Sequence, residues 1–429
     1  MINRTILFLT VSDCSNDPIV NRGDVDGRVN HNFEISTIDP LKKIFSNVIV
    51  YDYLKRYVEV GVKRTNQEIL DIVNQKKPDY VFWPSMTYEI LESTFDKIRL
   101  QGPKVIGWFF DDEIRFDDYS KWWIPYLDYI LTTDKESIKK YQMFGGTAIY
   151  SLNFSNSEYF KKLDTKKIYD VSFVGTNLAN RQELINSLMD RGVNIKTFGR
   201  GWSSNYVSFD EMIKIYNQSK INISFMQSYG NSTRPQMKCK IFDICLCGGF
   251  LLCEYIPGIE EYYEIGKEIE CFNSLEDASY KIQYYLNHEE ERETIADAGW
   301  KRATSNHTNF FSFLKIFQEI EKDIVIKKDK EIINSRLSEM SKHIRKMHSQ
   351  FHFHWGKVHL MENHKKLSRD ELALSIYYNP CNFEAMCLYV IGYFPHSVRP
   401  LSIRTSATIF AMFTKTKLIV LSVFHRVCR

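Results

Sequence analysis

Residues 170–181, DVSFVGTNLANR, decide the fold. A short apolar run ends at Gly175 and Thr176, and helix-period residues follow from 178 to 191, so the segment reads as strand, small-residue turn and helix. That unit builds parallel sheets with crossover helices. A helix starting there exposes unpaired N–H groups and the positive end of its dipole, so phosphate oxygens are favoured beside it, and Gly175 lets them approach the backbone. The same turn is also an ordinary corner between strand and helix, and both uses stay open. A second turn, Gly199-Arg200-Gly201, follows the next run and puts the Arg200 guanidinium on the same edge.

Outward from this stretch the pattern repeats. Strand-like runs fall at 5–11, 48–51, 80–83, 104–110, 129–131 and 148–152, then at 170–174, 194–198, 221–225, 250–253 and 268–272. Helix starts lie between them. Thr65 with Glu68 and Ser208 with Glu211 have capping-box spacing, Asp134 is an N-cap for 135–143, and a helix is expected over 274–286. The polar KKLDTKK at 161–167 reads as a linker. The predicted architecture is therefore α/β, with two Rossmann-like domains at 1–165 and 166–330 facing a cleft, and a helical extension at 331–429. Ligands of open parallel sheets bind outside the carboxyl ends of the strands, so two facing sheets imply one interdomain site.

The 429 residues are enough for two such units plus an appendage. With 44% hydrophobic and 25% charged residues, and only 19 Gly and 11 Pro, disordered and collagenous classes are excluded. The net charge of +3 hides an asymmetry: 331–429 carries fourteen Lys or Arg against six Asp or Glu, leaving −5 for the rest. Nine cysteines without a CxxC pair point to a reducing compartment. The apolar run 6–11 is followed by Asp13 and fits a first strand better than a signal peptide, and no window holds 18 uninterrupted apolar residues. A cytoplasmic location follows as an expectation.

In the extension, eight of the eleven histidines fall after residue 330, and the spacing of His352, His354 and His359 matches no closed metal site, so a solvated or simply helical role is expected. Residues 397–429 hold six basic residues and no acid. Wound as a helix, they put Arg404, Lys415, Arg426 and Arg429 on one face and Phe410, Phe413, Ile419 and Phe424 opposite. Such a helix either lies on the inner face of an anionic membrane or docks on its own domain. No nucleic-acid motif accompanies the basic residues.

The other informative stretch is 234–261, RPQMKCKIFDICLCGGFLLCEYIPGIEE. Arg234 and Lys238 are four apart, with Lys240 close by and a single acid, Asp243, in an apolar turn. A carboxylate in such company needs donors: a ribose diol would serve, as would pairing with Lys238 or Lys240. Two further groups could serve as a general base: Asp111, which with Asp112 lies at the end of the 104–110 run on the carboxyl edge where a site is expected, and His31 in the polar loop after the first strand. Each has a plainer alternative, the aspartates as a cap and the histidine as an exposed loop residue. Trp123, Tyr126 and Leu127 have core spacing, so packing rather than sugar stacking is expected of that aromatic stretch.

The order of a strand ending VGT, then GW, K-x-FD-x-x-x-CGGF-x-L, PGIEEYY and a helix before SNHT resembles the donor domain of GT-B glycosyltransferases, in particular the CgeB-like spore-maturation type and the wider glycosyl transferase group 1 domain. The resemblance covers about 165–325, and is thinner in the first domain, where it rests on GWFFDD at 107–112. It implies transfer of a sugar from a nucleotide-diphosphate sugar to a glycan or lipid-linked acceptor hydroxyl, in surface-glycan assembly, without a bound metal or other cofactor. Asp243 then falls where the family holds the ribose hydroxyls, Lys240 near the diphosphate, Gly175 and Thr176 at the phosphate-facing turn, and Trp202 near the nucleotide. Arg200, Arg234, Lys238 and Lys240 are the cations for the leaving diphosphate. The first acid of the Glu-x7-Glu pattern of retaining relatives would stand at Pro235, so the likeness carries over neither a donor-sugar carboxylate nor an anomeric outcome. The alternative is a non-catalytic protein that keeps this fold for regulation or partner binding.

Overall fold

A computed structural model of the chain describes residues 1–11, 34–85, 88–152, 154–177, 180–203, 207–226, 236–322, 329–361 and 364–391. All eleven strand-like runs are strands, in two wholly parallel sheets. The first has the order β2(Phe45–Asp52), β1(Ile2–Thr10), β3(Tyr80–Pro84), β4(Lys104–Phe109), β5(Tyr129–Thr132), β6(Ala148–Tyr150). The second runs β11(Glu270–Phe272), β10(Leu251–Glu254), β9(Ser219–Ser224), β7(Tyr169–Val174), β8(Ile195–Phe198). In each, strand order reverses beside the first strand, at β1/β3 and at β7/β9. Those reversals open the crevices where such folds bind ligands.

Strand alternation distributes the core. Leu7, Leu9, Val81, Trp83 and Phe109 pack on one face of the first sheet, and Ile6, Phe8, Phe82, Ile106 and Trp108 on the other. The second face is covered by a helix from beyond the second sheet. Asn309–Glu321 crosses back, and its Phe313 and Phe317 meet Phe82 edge-on at 5.7 and 6.1 Å. The expected boundary at 330 is thereby corrected: this helix belongs to the first sheet's core. The crossing is pinned by Asn309, which donates to Ser36 O at 2.8 Å and accepts from Phe154 N at 2.9 Å.

Local signals hold with one exception. Ser208 and Glu211 form the reciprocal capping box, Asp134 accepts from Ser137 N, and Ser274 caps Leu275–Asn287. Thr65 and Glu68 do not cap. They lie inside Val62–Lys76, where Thr65 Oγ1 donates back to Gly61 O and Glu68 pairs with Arg56 and Arg64. The chain had already turned at Gly61, whose φ of 80° suits glycine.

The described part of the extension is a third layer on the first domain. Lys330–Met361 puts Ile333, Met340 and Ile344 into the core beneath it, and Lys365–Tyr378 folds back along it. His352, His354 and His359 are helical, as one of the two expected roles had it, but the solvated role holds only for His354, which is exposed: His352 and His359 are fully buried, as is His348. His348 Nε2 lies 3.1 Å from Glu92 of the first domain, and His352 Nδ1 lies 2.7 Å from Glu371. The amphipathic stretch 397–429 lies outside the described residues. Among the described residues no helix is long and apolar enough to cross a membrane.

Burial holds His348 below the ordinary histidine value, against the pull of Glu92. A histidine depressed in the folded state contributes stability at neutral pH that is lost as pH falls below its unfolded value, near 6.5. The melting temperature should therefore fall between pH 7.5 and 5. The drop should be smaller in His348→Gln, which keeps a donor to Glu92 but no longer titrates; an equal drop in both proteins would take His348 out of the explanation.

Candidate functional site

β7 ends in the turn Gly175-Thr176-Asn177, and β8 in Gly199-Arg200-Gly201. The two turns are zipped together. Gly175 N donates to Phe198 O and Asn177 N to Arg200 O. Gly199 has φ 118°, and a Cβ there would stand 2.7 Å from Gly175 O, so only glycine permits this contact. Trp202 lies buried behind the turn, donating Nε1–H to Gly175 O at 2.8 Å. It props the turn that the resemblance places beside the phosphates. With Gly175 and Asn177 amides spent, Thr176 N is the amide of this turn without a backbone acceptor among the described residues.

Three cations converge on that edge. Lys240, the first residue of Lys240–Leu246, donates Nζ to Val174 O at 2.7 Å and lies over the Phe173 ring; a Cβ on Gly175 would be 2.7 Å from the amine. Arg181 opens Arg181–Asp190 and donates to Thr176 O at 2.7 Å. Lys238 bonds Gln236 Oε1. None of the three pairs with a carboxylate among the described residues. Burial, reinforced by Arg181 and Lys238, holds the Lys240 amine down to about 7, and burial also lowers Lys238 and Arg181. Uncompensated, half-buried positive charge is costly, and an anion placed among these groups would relieve it.

Asp243 sits one helical turn beyond Lys240. It is 5% exposed, and one carboxylate oxygen accepts from Ser155 Oγ of the segment after β6. Of the two partners left open by the sequence, neither lysine forms the pair. Burial pushes the carboxyl up to about 7, against Ser155 and Lys240. Arg200 is exposed on the neighbouring turn. Arg234 and His31 lie outside the described residues. Lys238 lies before the helix, which starts at Lys240.

The first domain meets this edge at the end of β4. Asp111 adopts the left-handed conformation, φ 58°, and its Oδ1 accepts from Gln236 Nε2 at 2.6 Å, bridging the two domains. Left-handed backbone at a non-glycine residue costs energy, and aspartate tolerates it better than most. Asp112 is fully buried; its Oδ2 accepts from Thr132 Oγ1 and Tyr141 OH, and its Oδ1 has no partner among the described residues. Glu113 was not anticipated. It opens toward Lys238 and Asp111, its Oε1 is buried without a partner among the described residues, and burial plus the Asp111 charge raise it to about 7. A carboxyl balanced near neutrality at a strand's carboxyl end is suited to general acid or base work.

A family model described as glycosyl transferase-like matches residues 181–310, which hold Arg181, Lys238, Lys240 and Asp243. Two solved structures share the architecture. Anabaena HepE, in complex with UDP and glucose, has a TM-score of 0.50 at 11% identity, covering 74% of this chain and all of that one. The sucrose-phosphate synthase of Thermosynechococcus elongatus has 0.51 at 8%, covering 75% and 100%. The segment 181–310 is thus similar to glycosyl transferases, and the chain has the GT-B fold. The spore protein CgeB of Bacillus subtilis strain 168 is 22% identical over 296 residues, 60% of this GT-B chain and 91% of that protein. The matched segment of the GT-B chain thus coincides with its cation-lined edge, while Asp111 and Glu113 precede it.

Proposed function

We propose that this protein transfers a sugar from a nucleotide-diphosphate donor to an acceptor hydroxyl. One observation carries the reading: Arg181, Lys238 and Lys240 converge on the turn after β7, and none of them forms an ion pair with a carboxylate among the described residues. Departure of a nucleoside diphosphate develops negative charge there, and fixed cations stabilise it most when already in place. We assign that charge to these side chains rather than to a divalent metal. Asp243 is within a helical turn of Lys240 and has acceptor capacity for a ribose hydroxyl once Ser155 gives way. Glu113 removes the acceptor's proton, and Asp111 and Gln236 hold the domains in register. A hexosyl donor, a glycan or lipid-linked acceptor in surface-polysaccharide assembly, a cytoplasmic setting and a peripheral membrane contact through 397–429 complete the proposal.

The test is thermal stabilisation by UDP, GDP, CMP and dTDP, followed by nucleotide release from the sugar conjugate of whichever binds. UDP is tried first, because HepE is seen with it. Binding with turnover supports the transferase. Binding without turnover across acceptors favours the non-catalytic alternative, and no binding removes both.

Donor affinity should also depend on pH. Lys240 titrates near 7 in the free protein, and a bound diphosphate holds its proton, so binding draws on the charged form. Affinity for the nucleotide sugar should fall about tenfold or more from pH 6.5 to 8.5, measured by calorimetry. A flat profile would place the diphosphate elsewhere.

A further inference from the structure

We propose that the groove between Ser120–Tyr126 and the Lys330–Met361/Lys365–Tyr378 pair docks on the phosphate head groups of an anionic lipid surface. The groove is about 670 Å³ and belongs to neither sheet crevice. Its floor carries Trp122 and Tyr378, and its rim Lys342, Arg345 and Lys346. All three rim cations are exposed, and none pairs with a carboxylate among the described residues. Glu339 is the single acid of the lining.

Helical spacing makes this a face rather than a coincidence. Lys342 and Lys346 are four apart and share a face, and Arg345 between them lies against the Tyr377 and Tyr378 rings. The whole helix has six Lys or Arg against two Asp or Glu. The aromatic floor is not free to stack a nucleotide base. His343 covers Trp122 at 4.0 Å with its ring plane 14° from parallel, and Lys121 Nζ lies 4.6 Å from the Trp122 centroid. Beside the rim, Tyr377 is 62% exposed and Leu337 39% exposed. Cations over aromatic and apolar surface match the boundary where phosphate head groups meet acyl chains, where Trp, Tyr and Lys are enriched. Charge complementarity selects an anionic surface over a neutral one.

The groove shares a stretch of chain with the proposed acceptor side. Glu113 and Trp122 are nine positions apart, which sets an upper limit of about 30 Å between them. An acceptor carried by the same lipid surface would thus meet the domain that carries the base. This last step rests on the transferase reading; the docking itself does not.

The test is co-sedimentation of the full chain with phosphatidylcholine vesicles, with and without phosphatidylglycerol, for the wild type and Lys342→Ala/Lys346→Ala. The wild type should bind only the anionic vesicles, more weakly as salt rises. Each lysine near the surface should count for about fivefold, so the double variant should bind about thirty-fold more weakly with an unchanged melting temperature. Equal binding by variant and wild type would assign the interaction to 397–429 and overturn the groove. Absence of wild-type binding, or equal binding to neutral vesicles, would overturn it too. Nucleotide release measured without vesicles reads the transferase proposal separately.

Discussion

Lys240→Ala is expected to lower turnover of the nucleotide-sugar donor by about 10²–10³, the cost typical of deleting one preorganised charge at a developing anion. The amine is held by Val174 O and the Phe173 ring against the Gly175 turn, so its position is set before any ligand arrives. It is also the cation most depressed by its surroundings, which makes it the group with most to gain from an incoming phosphate. The loss should appear in the donor's KM and kcat together, because the charge acts on bound and departing diphosphate alike. The alkaline limb of the pH profile should vanish with it. Folding should be little affected, since removing a depressed, half-buried cation also removes its desolvation cost. A variant that melts normally, binds donor normally and turns over normally would take Lys240 out of the site.

How much of this was legible in the chain differs by kind of feature. Strand existence followed from apolar runs with turn residues at their ends, and all eleven are present. Partnership was harder. The period of 309–321 says that Phe313 and Phe317 are buried but not against which sheet, and they lie on the first rather than the second. The Arg181 guanidinium went unassigned because a helix from 178 places it in the second turn. Starting instead at Arg181, the helix turns that side chain onto Thr176. Histidine has no fixed preference for core or solvent, so the burial of His348 and His352 depended on Glu92 and Glu371, residues 256 and 19 positions away. Asp111 was visible because it ends a strand-like run; its bond to Gln236 was not, being 125 residues apart.

Glu113→Gln is expected to lower acceptor glycosylation by about 10²–10⁴ while leaving nucleotide binding in place, the usual range for loss of a general base. Nothing in its sequence neighbourhood marks Glu113 above Asp111 or Asp112; environment does. Asp112 also keeps one oxygen without a partner among the described residues, but it is fully buried with its other oxygen held by Thr132 and Tyr141, and Asp111 is engaged by Gln236. Glu113 is only half-buried and keeps an oxygen without a partner among the described residues. Burial sets it near 7, so it is half ionised where Lys240 is half protonated. The base works only when deprotonated and the cation only when protonated, so kcat/KM should be bell-shaped with its maximum close to neutrality. Glu113→Gln should abolish the acid limb and leave the alkaline limb intact, the converse of Lys240→Ala. A stability effect alone would move neither limb selectively. If Glu113→Gln retains both its rate and its acid limb, the acceptor's proton leaves by another group, and Asp111 becomes the next residue to replace.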